Sequence, residues 1–283
     1  MTKVGIGLPA VFPGTSGRLT GDWARRAEER GFASLATIDR VVYGNLEPLS
    51  VLAAAAAVTE RITLFTNILL APVRLPVMLA KQAAAIDFLS GGRLRLGLAP
   101  GGREDDYTAT GMRFANRGRR FDAQLAQMQG IWKGALLPGT SRPIGPLPSR
   151  RGIPILIGGQ SDRSIERVVK VGDGWTAGSG AADPPAIARR VRTAWADAGR
   201  EGTPYLATLA YFFLGSDLDA ALANVTDYYG PERGPIVAAR MGRTPEGLRA
   251  MVARAEDAGF DELVLYPAVP DLAEVDRLAD ALP

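Results

Sequence analysis

The chain has 283 residues, of which 47% are hydrophobic and 22% charged, so it can bury a large core, and we predict one domain spanning residues 1–283. It contains no Cys and no His, which excludes disulfides, thiolate nucleophiles, imidazole bases and almost every transition-metal site. The formal net charge of +3 comes mostly from Arg residues scattered along the chain, a pattern that predicts no nucleic-acid partner.

The first half of the chain alternates short runs of Val, Ile and Leu with longer stretches of helical period. This alternation predicts parallel strands joined by crossover helices. Gly31 and Gly91 end two of the helices, and Pro48 begins another. The predicted strands are 4–9, 34–39, 62–70 and 94–99, and the predicted helices are 20–30, 48–58, 75–88 and 119–133. The glycine-rich acidic segment that follows the fourth strand is predicted as a loop.

The second half continues the same alternation after a segment at 138–152 that is dense in Pro and Gly. We predict that this segment is a mobile loop covering a site. The predicted strands are 153–157, 174–176, 206–214 and 262–266, and the predicted helices are 162–171, 184–198, 218–229, 245–258 and 272–282. Eight strand–helix units predict a single α/β domain, a closed (β/α)8 or TIM barrel with insertion loops at the C-terminal ends of its strands.

The apolar runs are too short for a membrane span. Arg, Thr or Pro interrupts each of them before the roughly eighteen residues that a spanning helix needs. The N-terminal MTKVGIGLPA also lacks the long apolar segment of a signal peptide. We therefore expect a cytoplasmic protein with no membrane partner.

The chemistry of such barrels resides in the loops that follow the strands. Each predicted strand end that carries polar or glycine-rich residues is therefore a candidate. These candidates are Asp39–Arg40, Asn67–Ile68, Ala99–Gly102 with Arg103–Tyr107, Gly158–Ser161 and Ala177–Ser179.

Residues Gly158–Asp162 follow an apolar strand directly and open a helix. Free backbone N–H groups and the positive end of the helix dipole would then meet at one point, which suits a phosphate. The alternative is a tight turn that needs glycine backbone angles, and Arg163 favours the phosphate. Gly97–Gly102 matches the dinucleotide fingerprint only loosely, so a Rossmann site is rejected.

Other polar residues have structural explanations as well as functional ones. Asp39, and either Asp105 or Asp106, could meet a ligand or form ordinary caps and ion pairs. Lys81 lies inside a predicted helix, which favours a surface role over a Schiff base. The serines at strand and helix ends, Ser16, Ser161 and Ser179, have no His to activate them. These features favour an enzyme whose difficult chemistry is carried by a bound redox cofactor, with no metal.

Several longer motifs identify a family. They are AEERGF at 27–32, TID at 37–39, EPL at 47–49, TERI at 59–62, APVRLP at 71–76, AKQ at 80–82, LSGGR at 89–93, LGL at 96–98, RGRR at 117–120, PILIGG at 154–159 and GDGW at 172–175. In this order and spacing they resemble the luciferase-like monooxygenase superfamily over nearly the whole chain.

The resemblance implies a barrel that binds reduced FMN or the deazaflavin F420, for hydride transfer or oxygen activation on a small organic substrate. It implies a non-prolyl cis peptide at a bulge in the third strand, here Asn67–Ile68, beneath the ring. It also implies that Gly158, Gly159 and Gln160 hold the cofactor phosphate. The residues that it places near the ring or its ribityl chain are Ala99, Gly101, Ala177 and Gly178. We expect the substrate to enter above Asn67–Ile68, under the 138–152 loop.

One departure from the family concerns the residue after Asp39. Many relatives have His at this position, and this chain has Arg40. Because Arg stays charged near neutral pH, it cannot cycle a proton, although it can hold an anionic substrate or intermediate. Protons would then come from Tyr107, Asp105 or water, so the candidate catalytic residues are Arg40, Asp39, Tyr107 and Asp105.

Three functions stay open from the sequence. The first is an F420-dependent oxidoreductase, which the 62–99 region and the helix at Arg119 favour. The second is an FMNH2-dependent monooxygenase fed by a partner reductase. The third is a flavin-binding protein without turnover, which the missing His favours. A homodimer through the apolar second and third helices is also expected.

Overall fold

Eight parallel strands close into one barrel in chain order in the computed structural model, which describes residues 1–149, 152–178 and 181–282. Pairing of Lys3 with Glu262 joins the last strand to the first. The strands are β1 (Lys3–Gly7), β2 (Ser34–Thr37), β3 (Thr63–Leu70), β4 (Leu94–Ala99), β5 (Ile155–Gly158), β6 (Gly174–Thr176), β7 (Tyr205–Phe212) and β8 (Glu262–Pro267). The predicted (β/α)8 barrel is confirmed.

Several helices begin at residues whose side chains cap them. Ser16, Ser161, Asp183, Asp217 and Thr244 each accept a hydrogen bond from an N–H of the first helical turn, which satisfies a donor that would otherwise lack a partner. The helices are α1 (Gly17–Glu29), α2 (Pro48–Ala56), α3 (Pro76–Leu89), α4 (Glu104–Ala109), α5 (Arg117–Trp132), α6 (Asp162–Val171), α7 (Pro184–Asp197), α8 (Leu218–Ala239), α9 (Pro245–Asp257) and α10 (Ala273–Ala281).

Two helices differ from the prediction. The acidic segment after β4, predicted as a loop, contains the short helix α4, whose Asp106 accepts hydrogen bonds from the amides of Val41 and Val42 at 2.8 and 2.9 Å. Helix α8 continues ten residues beyond the predicted end at Tyr229. Its path bends at Gly230, whose φ of 79° suits glycine, and a second helical segment starts at the prolines that follow.

The segment 138–152 is not above the strand ends, so the prediction of a loop over the site is wrong. It connects α5 to β5 and so lies at the N-terminal face of the barrel. Its described part packs on α3, where Lys81 Nζ donates to the Gly145 carbonyl at 2.6 Å and the Ser149 amide donates to Asp87 Oδ2 at 2.7 Å. Arg150 and Arg151 lie outside the described residues. Lys81 therefore has the surface role that its helical position favoured.

The N-terminal half of the barrel interior is filled by a buried polar cluster. Glu262 Oε2 accepts hydrogen bonds from Arg95 Nη1 at 2.6 Å and from the Tyr205 hydroxyl at 2.7 Å, and Ser34 bonds its other oxygen. Burial raises the pKa of Tyr205 above its usual range, so the phenol remains a donor. The carboxylate buried at this end of the barrel thus has hydrogen-bond partners for both of its oxygens.

No helix within the described ranges is both long and apolar enough to span a membrane. The same part of the chain contains no group of three acidic residues arranged to hold a metal ion.

Candidate active site

The floor of the site is a bulge in β3. The peptide bond between Asn67 and Ile68 is cis, as the family resemblance implied, and the register of β3 against β4 shifts between Thr66 and Leu69. Thr176 Oγ1 donates to Asn67 Oδ1 at 2.7 Å, and the Tyr266 hydroxyl lies 3.4 Å from the Asn67 carbonyl. Asn67 Nδ2 is buried and has no hydrogen-bond partner among the described residues. A buried donor of this kind is available to an acceptor on a ligand.

Three predicted cofactor residues meet beside this floor. A Cβ added to Gly158 would overlap Ile68 Cδ1 and would lie 3.2 Å from the Ala99 Cβ. Glycine is thus required at the end of β5 by close packing against β3 and β4. The next strand brings Ala177 and Gly178 alongside, because Gly158 pairs with Thr176. Ser179 lies outside the described residues.

Gly101 follows β4 and lies against the end of β3. A Cβ on Gly101 would lie 2.7 Å from Leu70 Cδ2. The structure therefore brings Gly101 to the same group of strand ends as Ala99, although its nearest neighbour is a core side chain.

The proposed phosphate loop runs from Gly159 through Gln160 to the start of α6. Gly159 has φ 114°, a conformation that L side chains rarely adopt, and a Cβ there would overlap Ser164 Oγ. Its carbonyl accepts a hydrogen bond from Trp175 Nε1 at 2.7 Å. These contacts explain the glycine as a turn residue, the alternative open from the sequence, and they also fix the backbone at the N-terminus of α6.

Charged residues at the start of α6 are already paired. Asp162 forms an ion pair with Arg190, and Arg163 Nη1 lies 2.8 Å from Glu166 Oε2. The Arg163 side chain is 79% exposed. Arg163 therefore faces solvent in this structure, and it no longer supports a phosphate site here.

The two adjacent residues after β2 have different surroundings. Asp39 is buried, and its Oδ2 accepts hydrogen bonds from Arg74 Nη1 at 2.5 Å and from the Leu70 amide at 2.8 Å. Arg40 Nη1 donates to the Tyr228 carbonyl at 2.8 Å, and its guanidinium carbon lies 5.0 Å from the ring centre of Tyr43. Asp39 thus has a structural ion pair, whereas Arg40 faces α8.

The two other predicted catalytic residues, Asp105 and Tyr107, also have different surroundings. Asp105 Oδ2 lies 3.9 Å from Arg40 Nη2 and is about half exposed, so these two are brought together. Tyr107 is buried beside Leu70 and Val73, and its hydroxyl donates to the Pro100 carbonyl. Burial raises the pKa of Tyr107 to about 12. Its phenol is therefore protonated at neutral pH and committed to a backbone contact.

Helix α8 covers the strand ends with tyrosines. The Tyr211 hydroxyl, at the end of β7, lies 3.1 Å from the Tyr229 hydroxyl, and the Tyr228 and Tyr229 ring centres are 4.9 Å apart. Burial raises the pKa of Tyr211 well above its usual value. A cavity of about 620 Å³ opens here, and its lining residues are Gly102, Arg103, Gly178, Tyr229, Pro231, Glu232 and Arg233.

Comparison with known families agrees with this arrangement. The model of the luciferase-like monooxygenase family matches residues 3–247, most of the chain. The chain belongs to this luciferase-like family. The resemblance carried by its sequence motifs is thereby confirmed.

One curated relative in this luciferase-like group is the uncharacterized protein Rv0940c of Mycobacterium tuberculosis. It is 30% identical over 211 residues, which cover 62% of this chain and 71% of the relative. Pyrimidine monooxygenase RutA of Methylobacterium radiotolerans is 30% identical over 201 residues, which cover 65% of this chain and 51% of the enzyme.

Solved structures share the luciferase-like fold over almost the whole chain. The monooxygenase RslO1 from Streptomyces bottropensis has a TM-score of 0.79 at 22% identity, covering 99% of this chain and 97% of that one. An F420-dependent secondary alcohol dehydrogenase in complex with an F420–acetone adduct has a TM-score of 0.78 at 17% identity, with coverage of 99% and 98%. A type II Baeyer–Villiger monooxygenase from Pseudomonas putida in complex with FMN has a TM-score of 0.70 at 17% identity, with coverage of 100% and 99%.

Sequence reasoning missed the tyrosine cluster beside this candidate site. Tyr211 lay within a predicted strand, and Tyr228 and Tyr229 stood at the end of a predicted helix. The available signal was the Tyr-Tyr-Gly-Pro run at 228–231, because a glycine followed by proline marks a bend that can aim aromatic side chains inward.

Proposed function

We propose that this chain is an oxidoreductase that binds F420 or FMN at the C-terminal ends of β3–β6 and uses it on a small organic substrate. The observation that carries the proposal is the unpartnered, buried Asn67 Nδ2 beside the close contact of Gly158 with Ile68 and Ala99. A buried donor without a partner, beside strand ends that carry the small residues Ala99, Gly158 and Ala177, suits the polar edge of a flat ring. The residues present therefore fit such a cofactor.

Each predicted cofactor residue has a part in this proposal. The Asn67 amide would donate to the ring, with Ile68, Ala99 and Gly101 beneath or beside it. The backbone of Gly158, Gly159 and Gln160 would hold the phosphate at the start of α6, and Ala177 and Gly178 would border the side chain of the cofactor. When bound, reduced F420 supplies a hydride, whereas reduced FMN supplies electrons to oxygen.

Arg40 is the residue that we propose to orient the substrate. Its guanidinium stays charged, so it positions an electron-rich group by hydrogen bonding and charge and leaves proton transfer to others. Asp105, at 3.9 Å, would hold Arg40 in place, and it is about half exposed. We assign Asp39 and Tyr107 supporting roles, because each is committed to a buried partner.

Hydride transfer from F420 is the first form of the proposal, and an FMNH2-dependent monooxygenase supplied by a reductase is the second. The same donors and glycine positions serve both rings, since the two differ by one ring atom. What favours the first form is the sequence of the 62–99 region and of the helix at Arg119, which resembles that of deazaflavin-linked relatives.

Titration of the purified chain with F420 and with FMN, each oxidised and reduced, tests the proposal. Fluorescence and absorbance are followed in parallel. A preference for F420 of about tenfold, or about 1.4 kcal/mol, supports hydride transfer, and the same preference for FMNH2 supports the monooxygenase. Tight binding without turnover on a broad substrate panel supports the non-catalytic alternative. Binding of neither cofactor overturns the proposal.

The homodimer stays a prediction. Helix α3 and the residue before it expose large apolar side chains, namely Leu75, Met78, Phe88 and Leu89. A second copy of the chain would remove this surface from water. Light scattering across a range of protein concentrations tests it, and a monomer at all concentrations would contradict it.

A further inference from the structure

Two guanidinium groups converge on one backbone carbonyl at the mouth of the barrel. Arg40 Nη1 donates to the Tyr228 carbonyl oxygen at 2.8 Å, and Arg103 Nη2 donates to the same oxygen at 3.2 Å. The guanidinium carbon of Arg103 also lies 5.4 Å from the ring centre of Tyr228. The kinked helix α8 thus holds two cations next to each other, because a nitrogen of each guanidinium bonds to the same oxygen.

A neutral carbonyl cannot balance two positive charges. Asp105 Oδ2 lies 3.9 Å from Arg40 Nη2, and its side chain is about half exposed. Three other acids near the pair have partners of their own: Asp39 pairs with Arg74, Asp106 accepts the amides of Val41 and Val42, and Asp227 accepts the Tyr43 hydroxyl. Arg40 Nε is buried and has no partner in the part of the chain that the structure describes. Like charges held this close favour binding of an anion.

Both charges act at the same point of the structure. Burial raises the pKa of the Tyr228 phenol well above its usual value, and Arg103 and Arg40 both oppose that rise. Both guanidinium charges therefore act on the Tyr228 side chain.

The pair is accessible from the cavity at the strand ends. Arg103 lines that cavity of about 620 Å³ together with Gly178 and Tyr229. Arg40 is 18% exposed and donates to the same Tyr228 carbonyl. The remaining charged lining residues, Glu232 and Arg233, are exposed and opposite in sign. A ligand in this cavity would meet the Arg103 guanidinium and the Tyr229 side chain together.

We propose that Arg103, reinforced by Arg40, is an anion subsite that binds an oxyanion carried by the substrate. The substrate of this chain is then a small molecule bearing a carboxylate or phosphate at one end, with its reacting carbon directed toward the β3 bulge. This inference rests on the proposed function in one respect, namely that the bound anion is the substrate. The subsite itself stands on the geometry of the two arginines.

A cofactor could also supply an oxyanion. The loop that we propose for the cofactor phosphate follows β5, whereas Arg40 and Arg103 follow β2 and β4. The two anion positions are therefore on different strand ends, and the test separates them by comparing apo and cofactor-loaded protein.

The probes are benzoate and its neutral isostere benzamide, titrated calorimetrically into the purified chain with and without bound F420 or FMN. We expect benzoate to bind at least tenfold more tightly than benzamide in both states, and to weaken as salt screens the charges. Arg103→Gln should abolish the preference and Arg103→Lys should keep part of it. Arg18→Gln, which changes a 92% exposed side chain, should leave it intact.

Three results would overturn the inference. They are equal binding of benzoate and benzamide, an unchanged preference in a folded Arg103→Gln protein, and competition between benzoate and the cofactor, which would assign the oxyanion to the cofactor. Thermal unfolding of each variant shows whether it is folded, and Arg103→Lys serves if Arg103→Gln is not. If neither cofactor binds but the Arg103-dependent preference persists, the proposed function fails while the anion subsite stands.

Discussion

Arg74 donates two hydrogen bonds to the buried carboxylate of Asp39, with Nη1 at 2.5 Å from Oδ2 and Nη2 at 3.2 Å from Oδ1. The Asp39 side chain is 1% exposed, and the Leu70 amide completes its shell. Burial raises the pKa of Asp39, and the Arg74 guanidinium opposes that rise. The acid that follows β2 therefore links this strand end to the end of β3, directly beside the residue that we propose to orient the substrate.

Removing the cation should leave Asp39 buried and unpaired. We expect Arg74→Gln to destabilise the fold by about 3–5 kcal/mol near neutral pH. Because the pKa of Asp39 is raised in the folded state, Asp39 becomes neutral as the pH falls through that raised value toward the unfolded value of roughly 4. The loss of stability in Arg74→Gln should therefore shrink as the pH falls. Urea unfolding at several pH values measures this. The matched control is Arg163→Gln, an exposed pair worth about 0–1 kcal/mol. Equal losses for the two variants would contradict the prediction.

Arg40→Ala should lower turnover while cofactor affinity changes little. Arg40 contacts the Tyr228 carbonyl and Asp105, on the α8 side of the site, and the proposed cofactor contacts lie on β3–β6. Misplacement of the substrate after loss of this orienting charge costs on the order of a hundredfold in rate. Single-turnover kinetics and fluorescence titration separate the two effects. Arg40→Lys keeps the charge but not the planar fork, so it should recover part of the rate. Unchanged turnover in Arg40→Ala would remove the assignment.

Gly159→Val should weaken cofactor binding by tenfold or more. The substitution forces a β-branched residue to φ 114° and places its Cβ against Ser164 Oγ, which displaces the backbone at the start of α6. Equilibrium titration with F420 and FMN is the measurement. Gly199→Val is the control for backbone strain alone, because Gly199 also has positive φ but follows α7, at the opposite face of the barrel. If both variants bind as the parent does, the phosphate lies elsewhere.

The barrel was predictable because its signals are local. Each strand, down to the three residues of β6, is an apolar run between a helix stop and a polar or glycine-rich turn, and the buried faces of a barrel leave little ambiguity in such runs. Gly158 was similarly marked by its position directly after the predicted strand 153–157. Its contact with Ile68 and Ala99 follows from neighbouring strands ending at one level.

The local sequence pattern could not show which way adjacent side chains point, or whether a helix continues past a glycine. Asp39 and Arg40 are adjacent, and only the position of Arg74 decides that the acid is paired in the core while the arginine faces α8. Gly230 predicts the end of a helix. The helix continues beyond it through a kink, and that continuation depends on packing over β7 and β8. The location of 138–152 was deducible, because a segment leading from a helix into a strand lies at the N-terminal face.

Glu28 on α1 supports the start of β3, and it should make stability depend on acid pH. Its carboxylate accepts hydrogen bonds from the amides of Glu60, Arg61 and Ile62 at 2.6–3.0 Å. Burial raises the pKa of Glu28, but these three amides together outweigh it and lower the pKa below its usual value. A carboxyl with a lowered folded pKa stabilises above its unfolded pKa of about 4.3, and that contribution is lost as the pH falls through the folded value.

Glu28→Gln should therefore cost about 1–3 kcal/mol near neutral pH, since a charged acceptor is replaced by a neutral one that also carries an N–H group facing donors. The parent and variant curves of unfolding free energy against pH should converge below about pH 4, because the parent carboxyl is then protonated. Glu29→Gln is the control, since Glu29 is 62% exposed and pairs with the surface Arg26. Parallel curves for parent and Glu28→Gln down to low pH would show that the charge on Glu28 does not hold the start of β3.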